Sequence, residues 1–533
     1  MGTKVYDNYA DLITFNRNSK GTALRPIGYG DELVTNGTFD TDASGWVAYN
    51  SATISWESGR IKAVKAGSYG GFNQGISGLT VGKVYTVSAE LEVINFDGGL
   101  LWVSEIAGGL HSELQESGVG LNTYSFNFVA IATTMWINAR GNAVSGTGTI
   151  YGDNISVKEV LFDREGDPLT LFLHPEGVPR IEYDADRNLK GLLIEPEAQN
   201  KCLQSEDITT GWNVTDATGT ADATTAPDGN TTAYELTATG SGPRIYQTIS
   251  VSAVKHTVSV FLKGNGLDFV RIYASGTGIN AFRFYGLSGS GTVGSGGGAV
   301  DNATIEAYPN GWYRCTLTWT QSAAGTVTFL INGAQSISDV TVDPTGSPSI
   351  YIWGLQFETG PIATSYMPTT ISPFTRGKDE ATMTNVSGLI GQKEGTLYVE
   401  VDWRLRAGTG QELISVSDGT INNRFIIYNE LSNVELRMFV TAGGSIKVNQ
   451  GVDSSGFSGI QKIALAYADG DQELYRNGSP ISTAAGSLAA LATLTDIDLG
   501  QNAEANYQAN MWIRSVQIIP RRLSDEQLIE LTS

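Results

Sequence analysis

The chain has 533 residues, and its 55 acidic and 34 basic side chains give a net charge of −21. A charge of this sign repels phosphate and anionic lipid, so we do not expect nucleic acid as a partner. No apolar run approaches the roughly 18 residues of a membrane span, and the opening MGTKVYDNYADLITF lacks a basic region followed by an apolar core. Neither membrane insertion nor a signal peptide is therefore predicted.

The composition favours strands over helices. Charged residues make up 17% of the chain, whereas it contains 64 glycines, 22 tyrosines and 10 tryptophans. Aromatic residues suit strands and glycines suit tight turns, so we predict an all-β fold. A chain of this length is expected to hold about three or four domains.

Residues 1–30 are predicted to form an extended N-terminal arm, because polar NRNSKGT separates short apolar pieces. We expect the arm either to dock on a neighbouring subunit or to return to residues 161–200. The first module, residues 31–160, contains KVYTVSAELEV, in which apolar and polar residues alternate. Strict alternation predicts a strand with one face in a core.

Residues 161–200 are predicted to be an irregular joint, since they contain Pro168, Pro175, Pro179 and many charged residues. The second module, residues 201–370, parallels the first: QSEDITTGW resembles NGTFDTDASGW, and IYQTISVSAVKHTVSVFLKG resembles FNQGISGLTVGKVYTVSAEL. This predicts an internal duplication. We expect Cys202 and Cys315 to be buried free thiols and the glycine-rich run 286–300 to be a flexible loop.

Residues 371–533 form the third predicted module. LYRNGSPI places Asn-Gly between two apolar runs, which predicts a hairpin. Ser524 and Gln527 have the spacing of a capping box, which predicts a short final helix.

Three segments together resemble a family of tailed-bacteriophage virion proteins: ITFNRNSKGTALRP, PRIEYDADRNLKGLLIEPEAQNKCLQSEDITTGW and GLQFETGPIATSYMPTT. The resemblance covers about half of the chain and implies tail-fibre, appendage or decoration proteins built on carbohydrate-binding-like jelly rolls. It also implies assembly in the host cytoplasm, release by lysis, self-association and other virion proteins as partners. The third module resembles concanavalin/laminin-G-like sandwiches.

The first module is similar to cellulose- and glucan-binding modules of the family 4 type, through GTFDTDASGWVAY and YGDNISVKEV. That resemblance implies a buried Trp46, a sugar-cleft Tyr49, and a structural calcium held by Thr38, Asp153 and the Gly59 carbonyl. In the second module the position of Asp153 is assigned to Gly354, so no equivalent calcium site is expected there.

Sugar rings pack on aromatic side chains while amides and guanidinium groups bind their hydroxyls. The carbohydrate-binding candidates of the first module are Tyr49, Trp56, Phe72, Gln74, Trp102, Trp136 and Arg140. In the second module, Arg271, Tyr273, Arg283 and Tyr285 alternate on strands and are candidates for a concave sheet, although a solvated face is the simpler interpretation.

No catalytic motif is present. The three histidines are far apart, and neither a GxSxG elbow nor a phosphate-binding GxxxxGKS occurs. The leading hypothesis is a non-enzymatic tail-fibre or appendage protein that binds host-surface polysaccharide. The alternatives are a capsid decoration or tail/collar adaptor whose sandwiches are architectural, and, third, a glycan-degrading tail enzyme, which needs only two suitably spaced carboxylates.

Overall fold

The computed structural model describes residues 13–67, 69–110, 112–142, 146–404, 410–430, 434–504 and 507–533. These residues form antiparallel sheets almost throughout, which confirms the all-β prediction. The chain divides into two compact units, one spanning Pro26–Pro168 and the other combining Met1–Arg25 with Leu169–Ser533. None of the helices in the described ranges is both long and apolar enough to cross a membrane.

The first sandwich occupies the unit Pro26–Pro168. The arm contributes β1 (Thr14–Asn16) and β2 (Gly21–Glu32), of which the second continues into this unit. The remaining strands are β3 (Val47–Tyr49), β4 (Thr53–Glu57), β5 (Arg60–Ala66), β6 (Gly70–Ser77), β7 (Val84–Ile94), β8 (Gly99–Ser104), β9 (Glu113–Ser117), β10 (Gly120–Val129), β11 (Thr134–Gly141) and β12 (Thr147–Phe162).

Two sheets enclose the core of this sandwich. One has the order β10-β7-β12-β2, with β5 beside β12 and β4 beside β5, and the other has the order β3-β6-β11-β8-β9. On β7 the apolar residues from Tyr85 to Val93 enter the core, and the polar residues between them remain partly exposed. The alternation of KVYTVSAELEV is thereby confirmed.

The predicted joint carries four strands, β13 (Leu169–His174), β14 (Ile181–Tyr183), β15 (Leu189–Ile194) and β16 (Ala198–Asn200). The second sandwich follows with β17 (Asn213–Thr215), β18 (Ala217–Thr224), β19 (Ala233–Ala238), β20 (Arg244–Val251), β21 (Lys255–Asn265), β22 (Phe269–Gly276), β23 (Ile279–Gly286), β24 (Thr292–Gly298), β25 (Val300–Tyr308), β26 (Trp312–Thr320), β27 (Gly325–Ala334) and β28 (Ser349–Thr359). Its sheets have the orders β17-β20-β27-β22-β23-β24 and β18-β19-β28-β21-β26-β25.

The flexible loop predicted for residues 286–300 was wrong, because β24 lies inside it and pairs with β23. Main-chain hydrogen bonds pair this strand with β23, so its four glycines do not prevent pairing. Cys202 and Cys315 are both free and buried, as predicted.

β29 (Phe374–Arg376) pairs with β16 in a separate two-stranded sheet. The third sandwich contains β30 (Glu380–Met383), β31 (Gly395–Trp403), β32 (Gln411–Ser417), β33 (Arg424–Glu430), β34 (Glu435–Ala442), β35 (Ser445–Asp453), β36 (Gln461–Ala468), β37 (Asp471–Arg476), β38 (Ser479–Ala484), β39 (Asp496–Leu499), β40 (Met511–Ile519) and α1 (Asp525–Thr532). Asn477 and Gly478 make the β37–β38 turn with positive φ angles of 44° and 78°. The capping box of Ser524 and Gln527 opens α1. Both local predictions are confirmed.

Arm and joint complete the sheets of the third sandwich. One sheet has the order β1-β30-β39-β32-β33-β34-β35, and the other has the order β14-β15-β40-β31-β36-β37-β38. The arm was expected either to dock on a neighbouring subunit or to return to its own chain. From residue 13 onward it packs on its own chain.

A buried ion cluster fixes these segments. The Arg17 guanidinium lies 3.2 Å from Asp379, Arg180 pairs with Asp379 and, at 2.9 Å, with Glu195, and Arg376 lies 3.5 Å from Glu195. All five side chains are inaccessible to solvent, so loss of one partner would leave uncompensated buried charge. The cluster joins the arm, the joint and the segment that leads into the third sandwich.

The first two sandwiches share local contacts that support the duplication. The indole Nε1 of Trp46 donates to the Asn36 carbonyl at 3.0 Å, and that of Trp212 donates to the Gln204 carbonyl, also at 3.0 Å. Asn36 and Gln204 both have positive φ, 54° and 52°. The matching sequences NGTFDTDASGW and QSEDITTGW thus form the same turn.

A glutamine clamps the main chain next to this turn in each sandwich. The Gln74 amide accepts from Thr35 N at 2.9 Å and donates to Thr35 O at 2.9 Å. The Gln247 amide does the same with Leu203, at 3.0 and 3.1 Å. Each glutamine satisfies one buried main-chain donor and one acceptor.

The structure corrects the alignment of the two modules at their last strands. Asn154 in β12 and Gly354 in β28 both sit at bulges with positive φ, 51° and 63°. Asp153 therefore corresponds to Trp353 and not to Gly354. Trp353 packs in an apolar cluster, so the second sandwich has an aromatic side chain where the first has a carboxylate.

Candidate functional site

The outer surface of the sheet β3-β6-β11-β8-β9 carries three of the seven predicted sugar-binding side chains, Tyr49, Trp136 and Arg140. Cross-strand register places Asn73 opposite Asn138, and both Tyr49 and Arg140 opposite Gly71. Residues directly opposite share a face. We define the aromatic face by its members Tyr49, Tyr69, Asn73, Trp136 and Arg140.

Asn138 is fully buried and forms hydrogen bonds that hold the loop after β8 beside this face. Its Oδ1 accepts from Gly108 N at 2.8 Å, and its Nδ2 donates to Ser104 Oγ at 2.9 Å. Trp102 is buried beneath the loop and donates from Nε1 to Gly109 O at 3.1 Å. The Tyr49 ring meets Trp102 edge-on at 5.4 Å between ring centroids. Trp102 therefore packs against Tyr49, and its own ring is too buried to contact a ligand.

Arg140 presents its guanidinium on the aromatic face. Its Cζ lies 3.9 Å from the centroid of the Tyr69 ring and 5.7 Å from that of Trp102. Stacking on aromatic rings holds the guanidinium plane without using its N–H groups. Arg140 forms no ion pair within the described ranges, so its donors can reach a ligand.

Asn73 lies on the outward side of β6, beneath the same face. Its side chain is 3% exposed, and its Oδ1 is buried without a hydrogen-bond partner among the described residues. An unsatisfied buried acceptor costs about 1–3 kcal/mol. Because this oxygen is inaccessible to solvent, Asn73 does not present it to a ligand on the face.

Two predicted sugar-binding residues were misplaced by sequence reasoning. Phe72 is fully buried in the core and meets Trp46 edge-on at 5.6 Å, so it cannot contact a ligand. Gln74 points to the same inner side and its amide is used by the clamp on Thr35. Strand parity explains both errors, because Phe72 and Gln74 alternate with the outward Asn73.

Trp56 lies on β4, in the facing sheet, where its Nε1 donates to Phe39 O at 2.6 Å. It is therefore separated from the aromatic face by the core. Tyr49, Trp136 and Arg140 are the predicted residues that share one surface. Asn73 and Tyr69 were missed, although the parity of FNQGIS, with Phe72 inward, indicates Asn73.

Of the predicted calcium ligands, Thr38 and Asp153 lie near the start and end of the first sandwich, and Gly59 lies in the turn between β4 and β5. Asp153 Oδ1 accepts from Asn154 N at 2.8 Å, and burial together with Glu90 and Asp40 raises the pKa of Asp153. Thr38 Oγ1 donates to Asp40 at 3.2 Å. Within the described ranges no three His, Cys, Asp or Glu side chains cluster as metal ligands. Glu90 and Asp40 each act on Asp153 in the direction that favours a cation, whereas Arg60 opposes them. Hydroxyl and carbonyl oxygens would have to complete the shell of a bound Ca²⁺.

The equivalent surface of the second sandwich is built differently. Arg271 stacks on Tyr273, with its Cζ 5.1 Å from the ring centroid, and donates to Asn332 Oδ1 at 3.2 Å. Tyr285 is fully buried in the core, so its predicted place on a concave sheet was wrong. Arg283 stands opposite core Ile272 in register and thus also points inward.

The third sandwich contains two carboxyl groups that the sequence did not reveal. Glu412 and Asp498 are buried on the sheet that contains β32 and β39, and burial raises the pKa of each to about 7. One oxygen of each lacks a hydrogen-bond partner and is inaccessible to solvent. These oxygens are therefore not presented to a polysaccharide in an open cleft.

Comparison with known proteins gives no match to a family model and none to a curated protein. Among solved structures, the CBM40 module of the Ruminococcus gnavus IT-sialidase aligns over 28% of this chain and 86% of its own, with 19% identity and a TM-score of 0.25. A CBM4 module aligns over 24% of this chain and 99% of its own, with 19% identity and a TM-score of 0.21. The binding domain of botulinum neurotoxin DC, in a structure with SialylT, aligns over 29% of this chain and 40% of its own, with 19% identity and a TM-score of 0.25.

Proposed function

We propose that this chain is a non-enzymatic structural protein of a tailed-bacteriophage particle, a tail-fibre or appendage component, and that its aromatic face binds host-surface glycan. The virion assignment rests on the sequence motifs of the arm, the joint and the second module. With it come assembly in the host cytoplasm, self-association and contacts with other virion proteins. The glycan assignment rests on the geometry of the aromatic face.

The observation that carries glycan binding is the Arg140 guanidinium, which stacks on Tyr69 and forms no ion pair within the described ranges. Tyr49, Tyr69 and Trp136 offer apolar surface to the faces of pyranose rings. The N–H groups of Arg140 donate to sugar hydroxyls. Such a mixture of aromatic surface and a few fixed polar groups is typical of small-molecule sites.

The test is binding of the labelled full-length chain to host cells, with and without competing polysaccharides. Tyr49→Ala and Trp136→Ala should each weaken saturable binding by at least about tenfold, the usual scale for losing an aromatic contact. Tyr29→Ala is the matched control, since Tyr29 is a half-exposed tyrosine on β2 of the facing sheet. Equal loss in all three variants would contradict a role of the aromatic face.

A capsid decoration or tail/collar adaptor is the second candidate function, favoured by exposed apolar side chains in the first sandwich. Leu110 is 94% exposed, and Ile106, Val119 and Leu121 are also largely exposed. Exposed apolar groups of this kind mark protein contacts. If Leu110→Ser and Leu121→Ser abolish incorporation into particles while sugar binding is absent from the wild type, the architectural function replaces glycan binding.

We also propose a structural calcium at Asp153, supported by the acidic neighbours Glu90 and Asp40. Millimolar Ca²⁺ should raise the Tm of the wild type, since a ligand that binds only the folded state stabilises it. Asp153→Asn should remove that response, and Asp222→Asn, at an exposed aspartate of the second sandwich, should keep it. A wild type whose Tm is the same in Ca²⁺ and in EDTA would disprove the site.

A further inference from the structure

A groove of about 190 Å³ lies on the outer surface of the second sandwich. Its floor consists of β25 and β26, whose residues alternate between the core and this surface. The chain after β28 crosses the same surface and forms one wall with Ile362 and Ala363, while Arg404 closes an end. The volume is below the several hundred Å³ of sites for drug-sized ligands and suits a single small ring.

Hydroxyl groups cover the floor of the groove. Thr304 and Thr316 face each other across β25 and β26, with their Oγ1 atoms 2.6 Å apart, and Thr318 Oγ1 donates to Pro361 O at 3.4 Å. Asn302 adds an amide at the open end. A hydroxyl both donates and accepts, so this floor matches a ligand that carries several hydroxyl groups.

Arg314 gives the groove a positive charge. Its side chain is 6% exposed and bonds only neutral acceptors, Ser259 Oγ at 3.0 Å and Thr364 O at 2.7 Å. Its Nε is buried without a hydrogen-bond partner among the described residues. The Glu306 and Glu358 carboxylates act on Arg314 at longer range, but within the described ranges neither forms a direct ion pair with it. A buried guanidinium without a direct ion pair favours an anion in the space beside it.

The other charged groups of the groove are neutralised by direct pairing. Glu306 stands opposite Arg314 in register, but its carboxylate turns to Lys190 at 2.7 Å. Arg404 pairs with Glu195 at 3.0 Å. Of the three charged side chains that line the groove, Arg314 is thus the one that forms no ion pair with any residue that the structure describes.

We propose that this groove binds one acidic saccharide unit, a pyranose ring that carries a carboxylate. The carboxylate accepts from Nη1 of Arg314, since Nη2 already donates to Ser259 and Thr364 and Nε is inaccessible to solvent. The ring hydroxyls lie on Thr304, Thr316 and Asn302. The site is distinct from the aromatic face and does not depend on glycan binding there. A protein with both sites would bind neutral sugar units of a polysaccharide at one site and acidic sugar units at the other.

The experiment compares methyl β-glucuronide with methyl β-glucoside, which differ at the carboxylate alone. Both are titrated against the full-length chain by saturation-transfer NMR. The glucuronide should bind saturably and the glucoside at least about tenfold more weakly, because hydrogen bonds to charged groups carry the difference. Equal binding of the two glycosides, or no binding of either, would overturn the proposal.

Variants assign the binding to the groove. The pair Thr304→Val with Thr316→Val should reduce glucuronide affinity several-fold, whereas Thr248→Val with Thr328→Val should not. That control removes a like pair of exposed threonines, with Oγ1 atoms 2.7 Å apart, from the other sheet of the same sandwich. An equal effect of both pairs would contradict the assignment.

Two further variants complete the design. Arg314→Gln should bring the affinity for the glucuronide close to that for the glucoside; if this variant does not fold, the threonine pairs still decide the outcome. Trp136→Ala should leave glucuronide binding unchanged, which separates failure of this site from failure of the aromatic face. Loss of glucuronide binding in Trp136→Ala would assign that ligand to the first sandwich instead.

Discussion

The first and second sandwiches share their internal contacts and differ on their outer surfaces. Trp46 and Trp212 make the same indole bond to a main-chain carbonyl, and Gln74 and Gln247 make the same clamp. These contacts bind the polypeptide main chain, which is the same in every residue. They can therefore persist while the sequence around them changes.

The outer surfaces have diverged because solvent-facing side chains are not constrained by packing. In the first sandwich Arg140 stacks on Tyr69 and forms no ion pair with a described residue, whereas in the second Arg271 stacks on Tyr273 and bonds Asn332. Both surfaces use an arginine on an aromatic ring. In the second sandwich, however, a neighbouring amide already takes part of its hydrogen-bonding capacity.

The largest expected effect tests the shared scaffold. Trp46→Ala and Trp212→Ala should each cost about 3–5 kcal/mol of folding free energy, the range for aromatic truncation in a core. Hydrogen exchange should show the loss in residues 26–168 for the first variant and in the second sandwich for the other. A loss below about 1 kcal/mol in either would show that the turn does not depend on its indole.

A smaller effect is expected when the arginines of the two outer surfaces are replaced. Arg140→Ala should weaken glycan binding to host cells by about tenfold, the effect of losing hydrogen bonds from a charged group. Arg271→Ala should leave that binding unchanged. If both variants weaken it equally, the second sandwich also binds glycan and the two surfaces are functionally alike.

The bulges at Asn154 and Gly354 test the corrected alignment. Gly354→Ala should cost about 1–3 kcal/mol, because φ is +63° and the new Cβ would lie 2.8 Å from the Phe261 ring. Asn154→Gly should change stability by less than about 0.5 kcal/mol, since glycine accepts positive φ readily. Denaturant unfolding of both variants measures the difference, and a neutral Gly354→Ala would contradict the bulge geometry.

The smallest expected effect concerns pH. Because the pKa of Asp153 is raised in the folded state by burial, Glu90 and Asp40, folding favours its protonated form. Its contribution to stability is full below the unfolded pKa of about 3.9 and is lost as pH rises through the folded pKa.

In EDTA, Asp153→Asn should therefore raise stability at pH 7 by no more than about 0.5 kcal/mol, a typical scale for a partly exposed carboxylate. It should have less effect near pH 3.5. Thermal melts at the two pH values test this, and a gain confined to the acidic side would reverse the expected sign. Trp353 occupies the corresponding position of the second sandwich and does not titrate.

Strand parity and turn chemistry made much of the fold predictable. The alternation of KVYTVSAELEV, the Asn-Gly turn at Asn477 and the capping box at Ser524 depend on contacts between residues close in sequence, and all three occur as predicted. The flexible loop predicted for the glycine-rich run was wrong because the pairing of this run with β23 depends on main-chain groups. Such pairing requires no alternation of apolar and polar side chains that could be detected in the sequence.

The candidate sites were less predictable than the fold. Tyr49, Trp136 and Arg140 were found from residue type, but Phe72 and Gln74 were assigned to the wrong face because the parity of β6 was not applied to them. The groove beside Arg314 had no signal in the sequence. Its floor comes from residues 302–318, and its wall and end come from Ala363 and Arg404, which only the folded chain brings together.

The all-β class, the likeness of the first two modules and the identity of the turns were predictable, since these follow from residue types at fixed short spacings. The position of the arm, the outward-facing aromatic side chains and the charged groups that form no ion pair among the described residues are apparent only in the folded chain. Arg17 meets Asp379 across more than three hundred residues, while Arg314 does not form an ion pair with Glu306 directly opposite it. Such outcomes depend on which groups the whole fold leaves within reach of each other, because pairing and burial of charge are set by distance in space.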